Sequence, residues 1–197
     1  MLFGFSSLYL MMAHNIGFFA HANCNWYGGK MYPIEVAFAD VDTLEVLITT
    51  VDNSDKCVGL VDERANKYCS RHIHRLPHNF KESFGWNYVI NWLKEEYRKR
   101  DNGLNLQVVV RGGQQKKILQ EANLPVVELG KEFYNVCPPY QRLPSYEDDW
   151  GIDMDKDHWR LHRGTYRCSR RIAYAYSRYI HETKEKDLEV KNKVCTF

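Results

Sequence analysis

Two imidazoles and a thiol fall within one short stretch, His158-Trp-Arg-Leu-His162-Arg-Gly-Thr-Tyr-Arg-Cys168, while far upstream Glu35 stands alone in an apolar run. Zinc takes nitrogen and sulfur donors in a tetrahedron and tolerates a carboxylate, so these groups could close around one ion. Four protein ligands would leave no open position for a substrate, and such a site stabilises a fold rather than performing a reaction. The competing reading makes His158 and His162 surface histidines and Cys168 a small core residue.

These residues need a scaffold, and 197 residues suffice for one domain with a substantial core. An apolar fraction of 44% with 14% aromatics excludes a solvated, disordered chain, and a net charge of +2 is too small to imply a nucleic-acid partner by itself. Six cysteines (Cys24, Cys57, Cys69, Cys137, Cys168, Cys195) lack the dense spacing of a disulfide scaffold, which predicts a reducing compartment, cytoplasmic or nuclear. Met1 to Phe19 is apolar and uncharged, but no Lys or Arg precedes it and His14-Asn15 interrupts it, so neither a cleaved signal nor a membrane span is expected. Residues 1–30 are read instead as an N-terminal extension, 31–181 as the domain and 182–197 as a charged tail that continues the last helix as a frayed end.

Pro33–Val41 and Leu44–Val51 read as two strands of a hairpin, and Cys57–Val61 as a third strand completing a meander. Lys67–Ser83, with His72, His74 and His78, reads as a loop. Trp86, Val89, Ile90, Leu93 and Tyr97 mark one face of a helix over 86–100. Leu106–Val110, Gln114–Ala122 and Pro125–Leu129 then read as strand, helix and strand, a βαβ unit. After an acidic, proline-containing loop, a last helix over 167–181 carries Cys168, Ile172, Ala175 and Tyr179 on one stripe. Three strands, helix, strand, helix, strand, helix is the α/β, ribonuclease H-like order found in DEDD-type exonucleases.

Such an exonuclease holds two divalent cations with four carboxylates, beginning with Asp-x-Glu on the first strand. Here Pro33 stands two residues before Glu35, and Cys168 and Arg171 open the last helix where an acid is required. Ordinary two-metal exonuclease activity is therefore not expected. His72, His74 and His78 have the right pKa class for acid–base chemistry, but no partner is identifiable from spacing. Gly112-Gly113 followed by Lys116-Lys117 lacks the full phosphate-loop pattern and reads as a βα turn.

Tyr32-Pro-Ile-Glu35-Val-Ala, His72-Ile-His-Arg-Leu-Pro77, Val108-Val-Val-Arg-Gly-Gly113, Pro125-Val-Val-Glu-Leu129 and Cys168-Ser-Arg-Arg-Ile-Ala-Tyr174, in this order, resemble the Maelstrom domain over roughly residues 30 to 181. In that exonuclease-like family a Glu-Cys-His-Cys quartet replaces the catalytic carboxylates. The resemblance implies Glu35 and Cys168 as zinc ligands. The family's middle cysteine stands three residues before the histidine, yet Asp155 precedes His158 and Trp159 precedes His162 at that spacing. Cys137 with His162 is the preferred pair; Asp155 with His158, or both histidines, are the alternatives. The resemblance also implies single-stranded RNA binding, a metal-independent ribonuclease activity, and transposon silencing through small RNAs with a protein partner of that pathway.

The residues themselves favour binding over cleavage. From Lys156 to His181 seven Lys or Arg face one acid, Asp157, interleaved with Trp159, Tyr166, Tyr174, Tyr176 and Tyr179. Cations contact phosphates and rings stack on bases. Arg163, Arg167, Arg170, Arg171 and Arg178 are the expected RNA contacts.

Overall fold

A computed structural model describes residues 15–76, 84–129, 138–144 and 168–194. Six strands form one mixed sheet: β1 (Ile16–Tyr27), β2 (Lys30–Asp40), β3 (Val46–Asp52), β4 (Phe84–Gly85), β5 (Gln107–Val110) and β6 (Val126–Glu128). Their spatial order is β4-β3-β2-β1-β5-β6. The first three strands are an antiparallel meander, and β5 and β6 join β1 in parallel, so the α/β ribonuclease H-like arrangement expected from the element order is the one observed. Among the described residues there are four α-helices: α1 (Leu60–Tyr68), α2 (Trp86–Asp101), α3 (Gly113–Gln120) and α4 (Ser169–Val194).

The meander is shifted by one strand from the sequence-based expectation. Ile16–Tyr27, assigned above to an N-terminal extension, is the central strand, and the domain boundary at residue 31 is corrected accordingly. The physical reason is burial on both faces. A strand covered on two sides needs no polar alternation, so its apolar run reads equally as a leader or a core segment. Phe18, Ala20, Ala22 and Cys24 point to one layer with α2 and α3, while Ile16 and Phe19 point to the other with α4. The expected third strand, Cys57–Val61, is instead a loop running into α1. Asp62 stabilises that start, its carboxylate accepting from the backbone N–H of Gly59 (3.4 Å) and of Gly29 in the β1–β2 turn (3.3 Å).

Helix α2 spans Trp86–Asp101 and buries Val89 and Leu93, as its periodicity predicts. Its left-handed C-cap, Asn102 (φ 49°), turns the chain into β5, and Asp101 accepts from the N–H groups of Asn105 (3.1 Å) and Leu106 (2.6 Å). Leu106 packs so closely on Gly17 that a Cβ there would lie 2.6 Å from Leu106 Cδ1, which explains a glycine within a central strand. On the opposite layer, Ala37 and Ala39 of β2 let α4 approach, and Phe19 stacks on Tyr176 with centroids 4.8 Å apart. Helix α4 does not end near His181; it runs on to Val194, with Lys184 bound to Asp42 at 2.9 Å.

Strand β1 outruns β5, so half of one edge has no strand neighbour. Two carboxamides replace the missing strand. Gln115 donates to the Ala22 carbonyl (2.7 Å) and accepts from its N–H (2.8 Å), while Asn66 does the same at Trp26 (2.8 and 2.6 Å). Backbone groups that would otherwise be buried without partners are thereby satisfied, and strand addition at this edge is blocked.

Candidate functional site

Glu35 lies on β2 directly opposite Asn23 on β1 and Thr50 on β3, on the sheet face that α4 covers. It has no exposure to solvent. A carboxylate so placed requires hydrogen bonds, and Oε2 accepts from Asn23 Nδ2 (2.9 Å) and from the Ser169 backbone N–H (3.0 Å). Ser169 opens α4, so the carboxylate sits at the helix N-terminus, where free N–H groups and the helix dipole favour negative charge. A bulge opposite Asn23/Cys24 sets this geometry: Asn23 pairs with Glu35 but Cys24 with Pro33, which leaves Ile34 as the extra residue.

Cys168, immediately before α4 and 3% exposed, is therefore brought to the same corner of the fold as Glu35. The other two residues of the expected quartet, Cys137 and His162, and the alternatives Asp155 and His158, lie outside the described residues. Pro138, which follows Cys137, is held on the α4 side of the sheet, its carbonyl accepting from Arg111 (3.1 Å) and Tyr176 (3.2 Å). Among the described residues no three His, Cys, Asp or Glu side chains come together as a metal-binding group.

Two residues of this corner escaped the sequence reading. His21 and Asn23 lie on β1 on the same side as Glu35, and His21 is opposite Ala37. Burial lowers the His21 pKa from 6.5 to about 4, although the Glu35 charge and a hydrogen bond with Asn23 oppose the shift. The signal was present as polar residues at alternate positions, His21, Asn23 and Asn25, in an otherwise apolar run. Among the described residues His21 Nδ1 and the buried Ser169 Oγ have no hydrogen-bond partner. Two unsatisfied polar atoms beside the buried Glu35 carboxylate are compatible with ordered water there.

The comparison with a DEDD exonuclease also changes. The strand that takes first place in the meander is β1, and its twelve residues include no Asp or Glu. Glu35 belongs to the second strand, so the missing Asp-x-Glu pair is absent from β1 itself rather than altered at Pro33.

Of the arginines expected to contact RNA, Arg163 and Arg167 lie outside the described residues. Arg170 and Arg171 are half-buried near the start of α4, and Arg178 Nε donates to Glu182 Oε1 at 2.8 Å. Of the three histidines near residue 75, His74 is a core residue. Its Nδ1 accepts from Leu76 N–H (3.0 Å), so Nε2 carries the proton and donates to Asn25 Oδ1 (3.2 Å). His72 is exposed against the Tyr68 ring, and His78 lies outside the described residues.

No helix among the described residues is long and apolar enough to cross a membrane. Comparison of the chain with protein-family models, curated proteins and solved structures gave no significant match.

Proposed function

We propose that this domain is a catalytically diverged, exonuclease-like module that binds single-stranded RNA and is stapled by zinc. The observation that carries the reading is the state of Glu35. It faces Asn23 across β1 and β2, it is enclosed, and it is already engaged by Asn23 and by the start of α4. A two-metal nuclease needs several solvent-accessible carboxylate oxygens around its ions, and β1 offers none.

The donor chemistry of Glu35 and Cys168 suits zinc, and Cys137 and His162 would complete the tetrahedron. A zinc ion so held supplies cross-linking of distant chain segments rather than an activated water. Glu35 would then orient the N-terminus of α4 through Ser169 N–H while Asn23 fixes the carboxylate. The resemblance to Maelstrom domains supports the RNA ligand and a role in small-RNA silencing, and the arginine-rich approach to α4, Arg163 to Arg178, supports phosphate contacts.

Metal analysis of the purified protein by native mass spectrometry tests the staple. One zinc per chain is expected, lost together with melting temperature in Cys168→Ser. Protein prepared with zinc present that retains no metal, or a Cys168→Ser variant indistinguishable from wild type, would remove zinc from the account.

A further inference from the structure

We propose that the outward flank of α1 and the π-helical turn after it, Cys69–Ile73, is the face that stacks unpaired nucleobases, with Tyr68 and His72 as the platform and Arg64 and Arg71 contacting phosphates. This rests on the RNA-binding reading above and assigns the base-contacting surface within it.

Tyr68 is 60% exposed, and its ring lies against the exposed His72 imidazole with centroids 4.9 Å apart. Exposed large rings are not retained for the core. Leu60 and Val61, 78% and 80% exposed, extend the apolar surface to the start of the helix. Residues at i, i+3 and i+4 share a helical flank, which places Arg64, Lys67 and Tyr68 together, and the π-helical turn carries the chain on from Tyr68 to Arg71. Lys67 is bound to Glu63 at 2.6 Å, whereas Arg64 and Arg71 make no ion pair among the described residues. Two cations about 10 Å apart beside a ring pair suit a chain of phosphates with splayed bases, because guanidinium groups contact phosphate and planar rings stack on any base.

The position in the sheet agrees. β1, β3, β5 and β6 run parallel, and α1 joins the end at which β1 and β3 finish, the end where α/β sheets bind ligands. Glu35 and the start of α4 lie toward this same end, since β2 begins where β1 stops. A cleft of about 370 Å³ lined by Tyr27, Asn53, Ser54, Lys56, Glu63 and Lys67 borders α1. Ser54 and Lys56 also line a second cleft, of about 300 Å³, beside Gly85–Asn87. Next to the latter, Phe84 and Tyr88 form another exposed, stacked pair, 4.4 Å between centroids. Asp52 and Asp55 line this second cleft, so its charge disfavours a phosphate track. The phosphates belong on the α1 side.

Binding of the full chain to a fluorescent uridine oligonucleotide of about 15 nucleotides, single-stranded or annealed to its complement, tests the assignment. Tyr68→Ala is expected to weaken the single-stranded complex about five- to 150-fold, the loss of one stacked base, while Tyr68→Trp restores it. Arg64→Ala/Arg71→Ala should lower the slope of log K against log salt by about 1.4, two released counterions on a single strand. Annealing should abolish the Tyr68 dependence. Wild-type protein that binds while Tyr68→Ala and the double arginine variant bind equally well, at unchanged melting temperature, overturns the assignment of this face and leaves RNA binding standing. A wild-type chain that binds no single-stranded RNA overturns both.

Discussion

Replacing Glu35 by leucine should cost far more than deleting a surface acid, and the hydrogen bonds set the size. Two buried donors, Asn23 Nδ2–H and Ser169 N–H, point at Oε2 from 2.9 and 3.0 Å. A buried donor left without an acceptor costs about 1–3 kcal/mol, so Glu35→Leu is expected to lose about 2–6 kcal/mol. Glu35→Gln keeps an acceptor but exchanges charge-assisted for neutral bonds, and should lose about 1–2 kcal/mol. Urea unfolding measures both as a falling midpoint at constant m-value, and hydrogen exchange should accelerate first in the opening turn of α4. A double-mutant cycle sharpens the claim: Asn23→Ala should destabilise wild type but change little in the Glu35→Leu background, with coupling of about 1 kcal/mol or more. Were Glu35→Leu within about 0.5 kcal/mol of wild type, a scatter expected of surface substitutions, Glu35 would not be the anchor of α4.

The buried imidazole makes a pH prediction. His21 titrates near pH 4 in the folded protein against 6.5 unfolded, so between those values the unfolded chain binds a proton that the native state refuses. Its contribution is intact above pH 6.5 and falls by about 3 kcal/mol on acidification to pH 4, whereas His21→Gln should lack this component; parallel pH–stability curves for the two proteins would refute it. Thiol reactivity should differ as sharply. Burial pushes Cys24 to about 12 while Cys57 is exposed, so iodoacetamide at pH 8 should label Cys57 quickly and Cys24 only on unfolding; comparable rates would contradict the placement of β1.

Elements whose periodicity is set by one buried face were legible in the sequence. Helix α2, with Val89 and Leu93 inward, and the β5-α3-β6 unit fall within a few residues of expectation. The central strand was not, because its first half, Ile16–Ala20, is apolar and buried on both faces, so the alternation that marks a strand begins only at His21, Asn23 and Asn25. Val58, Leu60 and Val61 misled in the other direction: strand-forming residues placed on an exposed loop and helix start for reasons unrelated to packing. Glu35 and Cys168 were recognisable as an isolated acid in an apolar run and a thiol on an inward stripe. That Glu35 meets the start of α4 depends on the Ile34 bulge and on Ser169 N–H, and neither leaves a mark in composition. The carboxamide clasps at Ala22 and Trp26 were invisible for the same reason, since Gln115 and Asn66 are polar residues on otherwise ordinary helices.

The most direct test of a diverged, RNA-binding exonuclease fold is to incubate labelled single-stranded RNA with the purified chain in magnesium or manganese. Complex formation and RNA length are then read from the same reaction. The account predicts a salt-sensitive complex in which the RNA shows no metal-dependent 3′ shortening. Stepwise, magnesium-dependent trimming that Glu35→Gln abolishes would make Glu35 a catalytic ligand and contradict the account.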